Sequence, residues 1–306
     1  SSTTPNAPWP GGTLPAGGST GDDVVVPKNL TLTLDTATAV AKSVVLNIGT
    51  TGADVGGRLA VNSAVDTKLV VYNGITESGS NSGATAGAFS GIVDIDMSAT
   101  TNKCEIYTNG AAATNATGSV ILNGKINLKG RTKTRWTLTT GALTANSTKS
   151  IGVSDATGWQ VGDKLVFATT QAYNATPRTD LVTIATLTYD SGSSGSATVT
   201  WTDGTGTGGA VLYGHDTACL VGNFHSNLIL GPVVANSPWA MRVECFSRNT
   251  AGSIQDVEFR SPGANGTFGY VGAVSFYDAI NGITFDRNVF YDFGGTAVYH
   301  YAQNGD

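Results

Sequence analysis

Charged residues are scarce in this chain, and glutamate is nearly absent. Lys, Arg, Asp and Glu make up 13% of the 306 residues, against roughly 25% in an ordinary globular domain. Only four glutamates occur, whereas aspartate is common. Because glutamate favours helices and aspartate favours turns and caps, this bias argues against helices of any length.

Long apolar runs and basic clusters are also missing. No run approaches the ~20 apolar residues of a membrane-spanning helix, so the sequence predicts no membrane span. The 17 Lys and Arg residues are scattered and the net charge is −5, which excludes the basic stripe of a nucleic-acid binder. We therefore expect no nucleic-acid partner and no membrane span.

Cysteine is rare and has no zinc or redox spacing. The three cysteines are Cys104, Cys219 and Cys245, and no cofactor is predicted from them. Cys219 and Cys245 are 26 residues apart, about one turn of a solenoid. They could stack on neighbouring coils as a disulfide, or they could be two buried free thiols.

Short apolar clusters between turn residues dominate what is present. The chain has 40 glycines and is 40% hydrophobic. Residues 30–35 alternate strictly between apolar and polar, which is typical of a half-buried strand. The sequence predicts an all-β fold, with early strands at 44–48, 58–61, 68–72, 91–97, 104–108, 120–122 and 125–128.

Residues 133–213 have a different character. Strands are predicted at 164–167, 181–189 and 197–201, and a Gly/Ser connection at 190–195 indicates a hairpin. Gly162-Asp163 is expected to form a tight turn before the first of these strands, with Trp159 buried against it. We interpret this region as a small hairpin-bearing or barrel-like insertion.

An internal repeat follows His215. Residues 227–230, 253–259 and 282–290 form one set, and residues 240–246, 272–277 and 296–301 form a second. Each set recurs after about 24–32 residues, the coil length of a parallel β-helix. The second half is therefore predicted to be a right-handed parallel β-helix, with inward side chains at Ile254, Val257, Phe259, Ile283, Phe285 and Val289.

The opening of the chain resembles the eight-glycine domain. The resemblance rests on Trp9, Gly12 and Pro15, on residues 21–27 and 30–35, and on the motifs at 136–138 and 159–163. That domain occurs in cell-surface hyaluronidases, in fibrocystin-like receptors and in bacterial and phage surface proteins. The resemblance implies a β-rich domain with first coils at 1–132, the insertion at 133–213 and β-helix coils at 214–306.

The last predicted strand is expected to be covered by further polypeptide or by another chain. It stops at Asp306, directly after a predicted strand and without a polar cap. An uncapped β-helix exposes a row of backbone donors and acceptors. We expect further polypeptide or another chain of the same assembly to cover this end.

Candidate chemical groups are few and dispersed. A histidine beside a carboxylate could act as a general base, and the candidates are His225, Asp278, Asp292 and His300. Ordinary surface or packing roles are the alternative for all four. Asp94 and Asp96 share one face of a predicted strand, where they could hold Ca²⁺ or simply face solvent.

Aromatic residues crowd the last predicted coils. Some must belong to the core, but Tyr277, Tyr291 and Tyr299 are candidates for stacking on sugar rings.

The sequence is compatible with two functions of different classes. The first is a structural or adhesive module of an extracellular surface appendage, such as a phage tail fibre or tailspike, facing a cell-surface or capsular polysaccharide. The second is a fragment of a polysaccharide-degrading ectoenzyme, a lyase or glycoside hydrolase, resembling the cell-surface hyaluronidases. The lack of a catalytic motif favours the first.

Overall fold

The computed structural model describes residues 21–47, 55–78, 91–108, 119–122, 125–170, 178–232, 242–245, 252–260, 272–277, 283–291 and 296–301. The chain divides into two units. We call Ser1–Arg131 with Asn227–Asp306 the stacked unit, and Thr132–Ser226 the inserted unit. None of the described segments forms an apolar helix of membrane-spanning length.

The stacked unit contains three sheets in which every described pairing is parallel. Sheet A has the order β1 (Asp23–Val26), β4 (Ser43–Asn47), β7 (Ile75–Ser78), β10 (Ser119–Leu122), β20 (Arg242–Cys245), β23 (Gly272–Tyr277) and β26 (Thr296–Tyr301). Sheet B has the order β2 (Thr31–Leu34), β5 (Arg58–Val61), β8 (Ile92–Asp96), β11 (Lys125–Lys129), β21 (Gly252–Gln255) and β24 (Ile283–Asp286). Sheet C has the order β3 (Ala39–Ala41), β6 (Thr67–Val71), β9 (Cys104–Thr108), β19 (Leu228–Pro232), β22 (Val257–Arg260) and β25 (Val289–Tyr291).

The chain visits these sheets in a fixed cycle. Successive strands go to A, B and C in turn, and each new round pairs with the round before it. The inserted unit interrupts one connection from sheet B to sheet C, between β11 and β19. The stacking of parallel strands begins at Asp23, within the region 1–132 that was predicted to contain the first coils.

Alternating side chains build the core of this unit. In β6 and β9 every second residue is buried, so their apolar side chains point inward. The register then stacks like residues on one another. In sheet C the inward stack is Leu69, Ile106, Leu230, Phe259 and Phe290. The Phe259 and Phe290 rings lie 5.1 Å apart and nearly parallel.

Polar side chains fix the corner between sheets B and C. The Asn227 side-chain amide donates to the carbonyls of Met97, Thr100 and Asn102 at 3.0, 3.0 and 3.1 Å. Its oxygen accepts the backbone N–H of Arg131 at 2.7 Å. In this way one buried amide satisfies four backbone groups that no strand ladder can reach.

The predicted repeat is confirmed in its register. Val243, Val274 and Val298 are direct partners on neighbouring strands of sheet A. Three of the six predicted inward residues, Ile254, Val257 and Phe259, are fully buried in the core. Val289 was wrongly predicted to point inward: it is 8% exposed but pairs with Glu258, and its neighbour Phe290 takes the inward position. The other two, Ile283 and Phe285, are partly buried against the same core.

The inserted unit is built from two antiparallel sheets. Sheet D has the order β12 (Trp136–Leu138), β18 (Leu220–Asn223), β14 (Lys164–Phe167) and β15 (Asp180–Thr183). Sheet E has the order β13 (Ser150–Val153), β17 (Ala197–Thr200) and β16 (Thr186–Tyr189). The predicted hairpin is confirmed as the β16–β17 pair. The predicted strand at 181–189 is instead two strands in different sheets, β15 and β16.

The predicted turn before β14 is also confirmed. Gly162 has a φ of +91°, which glycine adopts without steric cost. The Asp163 carboxylate accepts the backbone N–H of Gln160 at 3.0 Å. Trp159 is 3% exposed, and its indole N–H donates to the Thr134 carbonyl at 2.6 Å.

Residues 214–226 lie in the inserted unit, although the sequence assigned them to the coils. Strand β18 pairs with β12 and β14 rather than with any strand of the stacked unit. Cys219 is a free, buried thiol in the core of the inserted unit. The expected stacking of Cys219 and Cys245 on neighbouring coils was therefore wrong, because the chain reaches its next stacked strand only at Leu228.

Candidate functional site

A row of polar side chains crosses the outward face of sheet B. Asp94, Asn127, Ser253 and Thr284 are direct partners on β8, β11, β21 and β24. Parallel strands are about 4.8 Å apart, so the row repeats a polar group at that interval. It occupies the strand positions that alternate with the buried residues Val93, Ile95, Ile126, Leu128 and Ile254.

Hydrogen bonds join four of these outward side chains. Arg58 forms an ion pair with Asp94, and the Asn127 amide donates to the other oxygen of Asp94 at 2.6 Å. The Ser253 hydroxyl donates to the side-chain oxygen, Oδ1, of Asn127. We call Arg58, Asp94, Asn127 and Ser253 the sheet B polar network. Its planar groups are held rigidly by one another, which suits recognition of a ligand with many hydroxyl groups.

Charged residues flank this network on both sides. Arg58 and Lys125 lie in one neighbouring row, on either side of Ile92. Asp96 and Lys129 are partners in the other row, and Gln255 is the next residue along it. Side chains of both charge signs thus surround the network and offer hydrogen-bond donors and acceptors. The whole array lies on β5, β8, β11 and β21 of one unit.

Asp94 and Asp96 do share a face of β8, but each carboxylate has partners. Asp94 is held by Arg58 and Asn127, as above. Asp96 accepts hydrogen bonds from the Ser98 N–H at 3.0 Å and its hydroxyl at 2.5 Å. Across the described residues, no group of three or more His, Cys, Asp or Glu side chains is arranged to hold a metal ion.

A second group of ionisable residues lies on the outward face of sheet C. The register aligns Lys68, Glu105, Ile229 and Glu258 in one row. The adjacent row contains Tyr107, Gly231, Arg260 and Tyr291. We call Lys68, Glu105, Tyr107, Glu258 and Arg260 the sheet C cluster.

The contacts within this cluster are close. Arg260 donates to Glu258 at 2.5 Å, and Glu258 is only 3% exposed. The Lys68 ammonium lies 4.9 Å from the centre of the Tyr107 ring, a cation–π distance. Gly231 makes room for the ring, since a Cβ at that position would lie 3.3 Å from the Tyr107 Cε1 atom.

The surroundings of Tyr107 and Arg260 determine the protonation states of these two residues of the sheet C cluster. Burial, reinforced by Glu105, raises the pKa of the Tyr107 phenol, and the Arg260 guanidinium only partly opposes this. Burial lowers the pKa of Arg260, but the charge and hydrogen bond of Glu258 outweigh burial and raise it overall. At neutral pH Tyr107 is therefore a neutral hydrogen-bond donor and Arg260 a cation, so the phenol is poorly suited to act as a base.

Of the four predicted catalytic residues, the structure describes the side chain of one, His225. His225 is 8% exposed, and its backbone N–H and carbonyl are bonded to Asn223 and Arg135. Asp278 and Asp292 lie outside the described residues. His300 lies on β26, and its side chain is not among those that the structure describes.

The predicted glycan-stacking tyrosines fall on two sheets. Tyr277 and Tyr299 lie on β23 and β26 of sheet A, and Tyr291 lies on β25 of sheet C. Tyr291 is the direct partner of Arg260, which places it in the row of the sheet C cluster. The side chains of all three lie outside the description.

One histidine–carboxylate pair exists in the inserted unit, but it is closed to solvent. The His215 Nε2 atom lies 3.3 Å from Asp180 Oδ2, and the two side chains are 0% and 1% exposed. Asp180 also accepts the backbone N–H groups of Leu212 and Tyr213 at 2.6 and 3.2 Å. This pair organises the core and is not accessible to a polysaccharide.

Asp94 was a candidate from the sequence, but the two outward groups as such were missed because their residues are far apart along the chain. Arg58 and Asn127 are separated by 69 positions, and Lys68 and Glu258 by 190. Alternation places each of them on an outward face, but only the strand register brings them together. The one usable signal was the polar residue that alternates with apolar residues in each predicted strand.

Comparisons with known proteins add a structural similarity. No protein-family model and no curated protein sequence match the chain. Among solved structures, it is similar to the Gp54 tailspike of Acinetobacter baumannii bacteriophage AP22, determined in complex with A. baumannii capsular saccharide, with 16% identity and a TM-score of 0.22. The match covers 76% of this chain and 41% of the tailspike chain. The chain thus spans about two fifths of that tailspike, and the TM-score is too low to establish a common fold.

Proposed function

We propose that the chain is a right-handed parallel β-helix module of an extracellular surface appendage, and that it binds a cell-surface or capsular polysaccharide. The β-helix is supported by the cyclic visits to three parallel sheets. The glycan partner is supported by one observation above all, the sheet B polar network. A rigid row of amide, hydroxyl and charged groups offers both donors and acceptors to sugar hydroxyls.

The geometry of the network suits a linear polymer better than a small molecule. Its groups repeat at the strand spacing of about 4.8 Å along a direction that crosses β5, β8, β11 and β21. Successive units of an extended polymer could each meet one strand. Arg58 is the exposed end of the network, with a side chain that is 44% exposed, and the exposed Lys125 flanks the same end. Two cations at this end favour a polymer that carries acidic groups.

The test is binding of the full chain to a panel of neutral and acidic capsular polysaccharides, measured by affinity electrophoresis and calorimetry. Arg58→Ala and Asn127→Ala should each weaken binding about tenfold or more, because each removes a hydrogen bond of a charged or rigid network. The matched control is Lys42→Ala, which removes a cation from the bend between β3 and β4, away from sheet B. Unchanged binding by both network variants would contradict the proposal.

A polysaccharide-degrading ectoenzyme resembling the cell-surface hyaluronidases is the second candidate, and the sheet C cluster favours it. Glu105 and Glu258 are separated by one intervening strand, which puts their Cα atoms about 9.6 Å apart. Both side chains stand on the outward face of sheet C, and glycosidases use a pair of carboxyl groups that face the same bond. Against this candidate, Glu258 is buried and already paired with Arg260.

Release of reducing ends or unsaturated sugars separates the two candidates. Hyaluronan, pectate and capsular polysaccharides would be incubated with the chain, with and without Ca²⁺. We expect binding without product release. Product release that is lost in both Glu105→Gln and Glu258→Gln would instead establish the enzyme.

The proposal includes the resemblance to the eight-glycine domain and the association of the chain with other chains of the appendage. The motif at 159–163 that carries part of the resemblance forms the buried turn around Trp159 and Asp163. Such a turn stabilises the inserted unit and has no direct role in glycan binding. Strand β26 is the last strand of sheet A in the described residues. Pairing with other chains of the same assembly is part of the proposal, because the open edge of a parallel sheet pairs readily with a further strand.

A further inference from the structure

Three polar side chains meet in the core of the inserted unit. The Lys133 ammonium donates to both oxygens of the Asp163 carboxylate, at 2.9 and 2.8 Å, and the Asn223 side-chain amide donates to Asp163 Oδ2 at 2.7 Å. All three residues are buried. One carboxylate oxygen therefore receives hydrogen bonds from a primary amine and from a carboxamide, which brings the two nitrogens within about 5 Å of each other.

The order of strands in sheet D explains this meeting. Lys133 lies before β12 and Asp163 before β14, and β18, which ends at Asn223, runs between these two strands. The lysine side chain therefore spans the strand of Asn223 on its way to Asp163. Two strand spacings amount to about 9.6 Å, so the carboxamide of the middle strand lies beside the long lysine side chain.

The surroundings close this group off from water. A Cβ atom on Gly158, which has a φ of +80°, would lie 2.8 Å from Lys133 Cβ, so the backbone at Gly158 packs directly on the lysine. The next residue, Trp159, is buried, and its indole N–H donates to the Thr134 carbonyl at 2.6 Å. Water is thus kept away from the amine and the carboxamide, and an amide formed between them would be protected from hydrolysis.

We propose that Lys133 and Asn223 become joined by an isopeptide bond, with Asp163 as the proton acceptor. The Lys133 ammonium transfers one proton to Asp163, and the neutral Nζ atom then attacks the side-chain carbon Cγ of Asn223. The bond from Cγ to Nδ2 breaks, and this nitrogen leaves as ammonia. Of the three ammonium protons, one stays on the new amide, one leaves with the ammonia and one remains on Asp163. Nothing is oxidised or reduced, so no further reactant is needed.

The bond is expected to form slowly after folding. A protonated lysine is not a nucleophile, so the ion pair must first pass a proton to the carboxylate. The amine must also move to within about 3–3.5 Å of the carbon that it attacks. The ion pair is thus the state of the newly folded chain, and the amide accumulates from it. Because Asp163 ends as a neutral acid, the finished bond leaves no unpaired charge in the core.

A bond at this position would close the inserted unit covalently. Lys133 and Asn223 are 90 positions apart and lie near the two ends of the unit Thr132–Ser226. A cross-link that closes so long a loop strongly restricts the unfolded chain, and unlike a disulfide it does not depend on the redox state of the surroundings. The inference does not rest on the glycan proposal, because none of its residues lies on sheet B.

Mass spectrometry of the full chain tests the proposal. Freshly purified protein is compared with protein kept for two weeks at neutral pH, and the intact mass should fall by about 17 Da, the mass of ammonia. Trypsin should no longer cut after Lys133, and the peptide of residues 132–135 should appear joined to that of residues 179–242. The joined peptide is decisive, since an Asn–Gly sequence such as Asn73-Gly74 can also lose ammonia.

Three variants isolate the chemistry. Lys133→Arg keeps a cation beside Asp163 but has no amine that can attack, so it should form no joined peptide. Asp163→Asn keeps the shape of the side chain but removes the proton acceptor, so the peptide of residues 179–242 should become joined at least about tenfold more slowly. Lys42→Arg, at the exposed ion pair with Asp23, is the control and should leave the rate unchanged. Circular dichroism shows whether each variant is folded.

Three outcomes would overturn the proposal. The first is wild-type protein that keeps its full mass and is still cut after Lys133 at the end of the incubation, a result that needs no variant. The second is a folded Asp163→Asn chain in which the same two peptides become joined at the wild-type rate. The third is a loss of about 18 Da, the mass of water, with residues 132–135 joined to residues 150–164, which would place the bond on Asp163 itself.

Discussion

Lys133 donates to both carboxylate oxygens of Asp163, at 2.9 and 2.8 Å, and each side chain is only 2% exposed. The Asn223 amide adds a further hydrogen bond to the same carboxylate at 2.7 Å. Lys133 lies just before β12, Asp163 just before β14, and Asn223 ends β18. One buried ion pair thus connects three strands of sheet D.

The first prediction concerns this ion pair. Lys133→Met should destabilise the inserted unit by about 3–5 kcal/mol, because it leaves the Asp163 carboxylate buried without its cation. The double variant Lys133→Met/Asp163→Leu should recover much of that loss, since no charge then remains buried. Urea unfolding followed by tryptophan fluorescence measures both, with Trp159 and Trp201 as buried reporters.

An exposed ion pair supplies the control for this prediction. Lys42 and Asp23 form an ion pair at 3.0 Å whose side chains are 32% and 49% exposed. Lys42→Met should change stability by no more than about 1 kcal/mol. Equal losses for Lys133→Met and Lys42→Met would show that burial is not what makes the Asp163 pair important.

The second prediction concerns the corner that Asn227 holds. Asn227→Ala leaves three carbonyls and one N–H without their side-chain partner, and it should destabilise the stacked unit by about 2–4 kcal/mol. Asn227→Asp keeps an acceptor for the Arg131 N–H but loses the donors, and it should be at least as harmful. Asn62→Ala is the control, because the Asn62 side chain accepts a local hydrogen bond from the backbone N–H of Ala64 at 3.1 Å.

Much of the all-β fold could be predicted because local periodicity determines it. The predicted strands at 58–61 and 104–108 match β5 and β9 in their bounds, and alternation of buried residues explains why. The similar spacing of residues 240–246 and 272–277 correctly predicted β20 and β23 as neighbours. Strand β3 was missed, because it has only three residues, two of them alanine.

The outward groups could not be predicted for a different physical reason. Nothing local indicates that Asn127 meets Asp94 or that Tyr107 lies beside Gly231, since these contacts depend on which strands pair and in which register. The insertion made this harder. It separates Lys129, at the end of β11, from Leu228, at the start of β19, by 99 positions. Residues such as His215 therefore looked adjacent to the coils while belonging to another unit.

The third prediction concerns the ring stack in sheet C. Phe259 is fully buried and stacks on Phe290 at 5.1 Å. Phe259→Ala should cost about 3–5 kcal/mol, the usual loss when a buried aromatic side chain is removed. Phe259→Leu should cost less, because it keeps most of the apolar volume. Thermal unfolding by circular dichroism measures both, and a Phe259→Ala melt equal to that of wild type would contradict the inward stack.

The last prediction concerns the Cys104 thiol and alkaline pH. Burial in the sheet C core raises the pKa of Cys104 from 9.0 to about 11. The unfolded chain, with the lower pKa, therefore loses this proton first as the pH rises. The stabilising contribution is complete below pH 9 and is lost as the pH rises to about 11, by about 2–3 kcal/mol in total. Urea unfolding at pH 8, 9, 10 and 11 measures this slope.

Cys104→Ala is the variant that isolates the thiol. It should unfold with a smaller loss of stability between pH 9 and 11 than wild type, whatever its stability at pH 8, because the titrating group is gone. Thiol labelling gives an independent readout. In a Cys245→Ser background the remaining Cys104 and Cys219 are both buried free thiols with raised pKa values, so a disulfide reagent at pH 8 should react with them only after denaturation. Rapid labelling of the native chain, together with a pH slope that Cys104→Ala leaves intact, would contradict the burial of this residue.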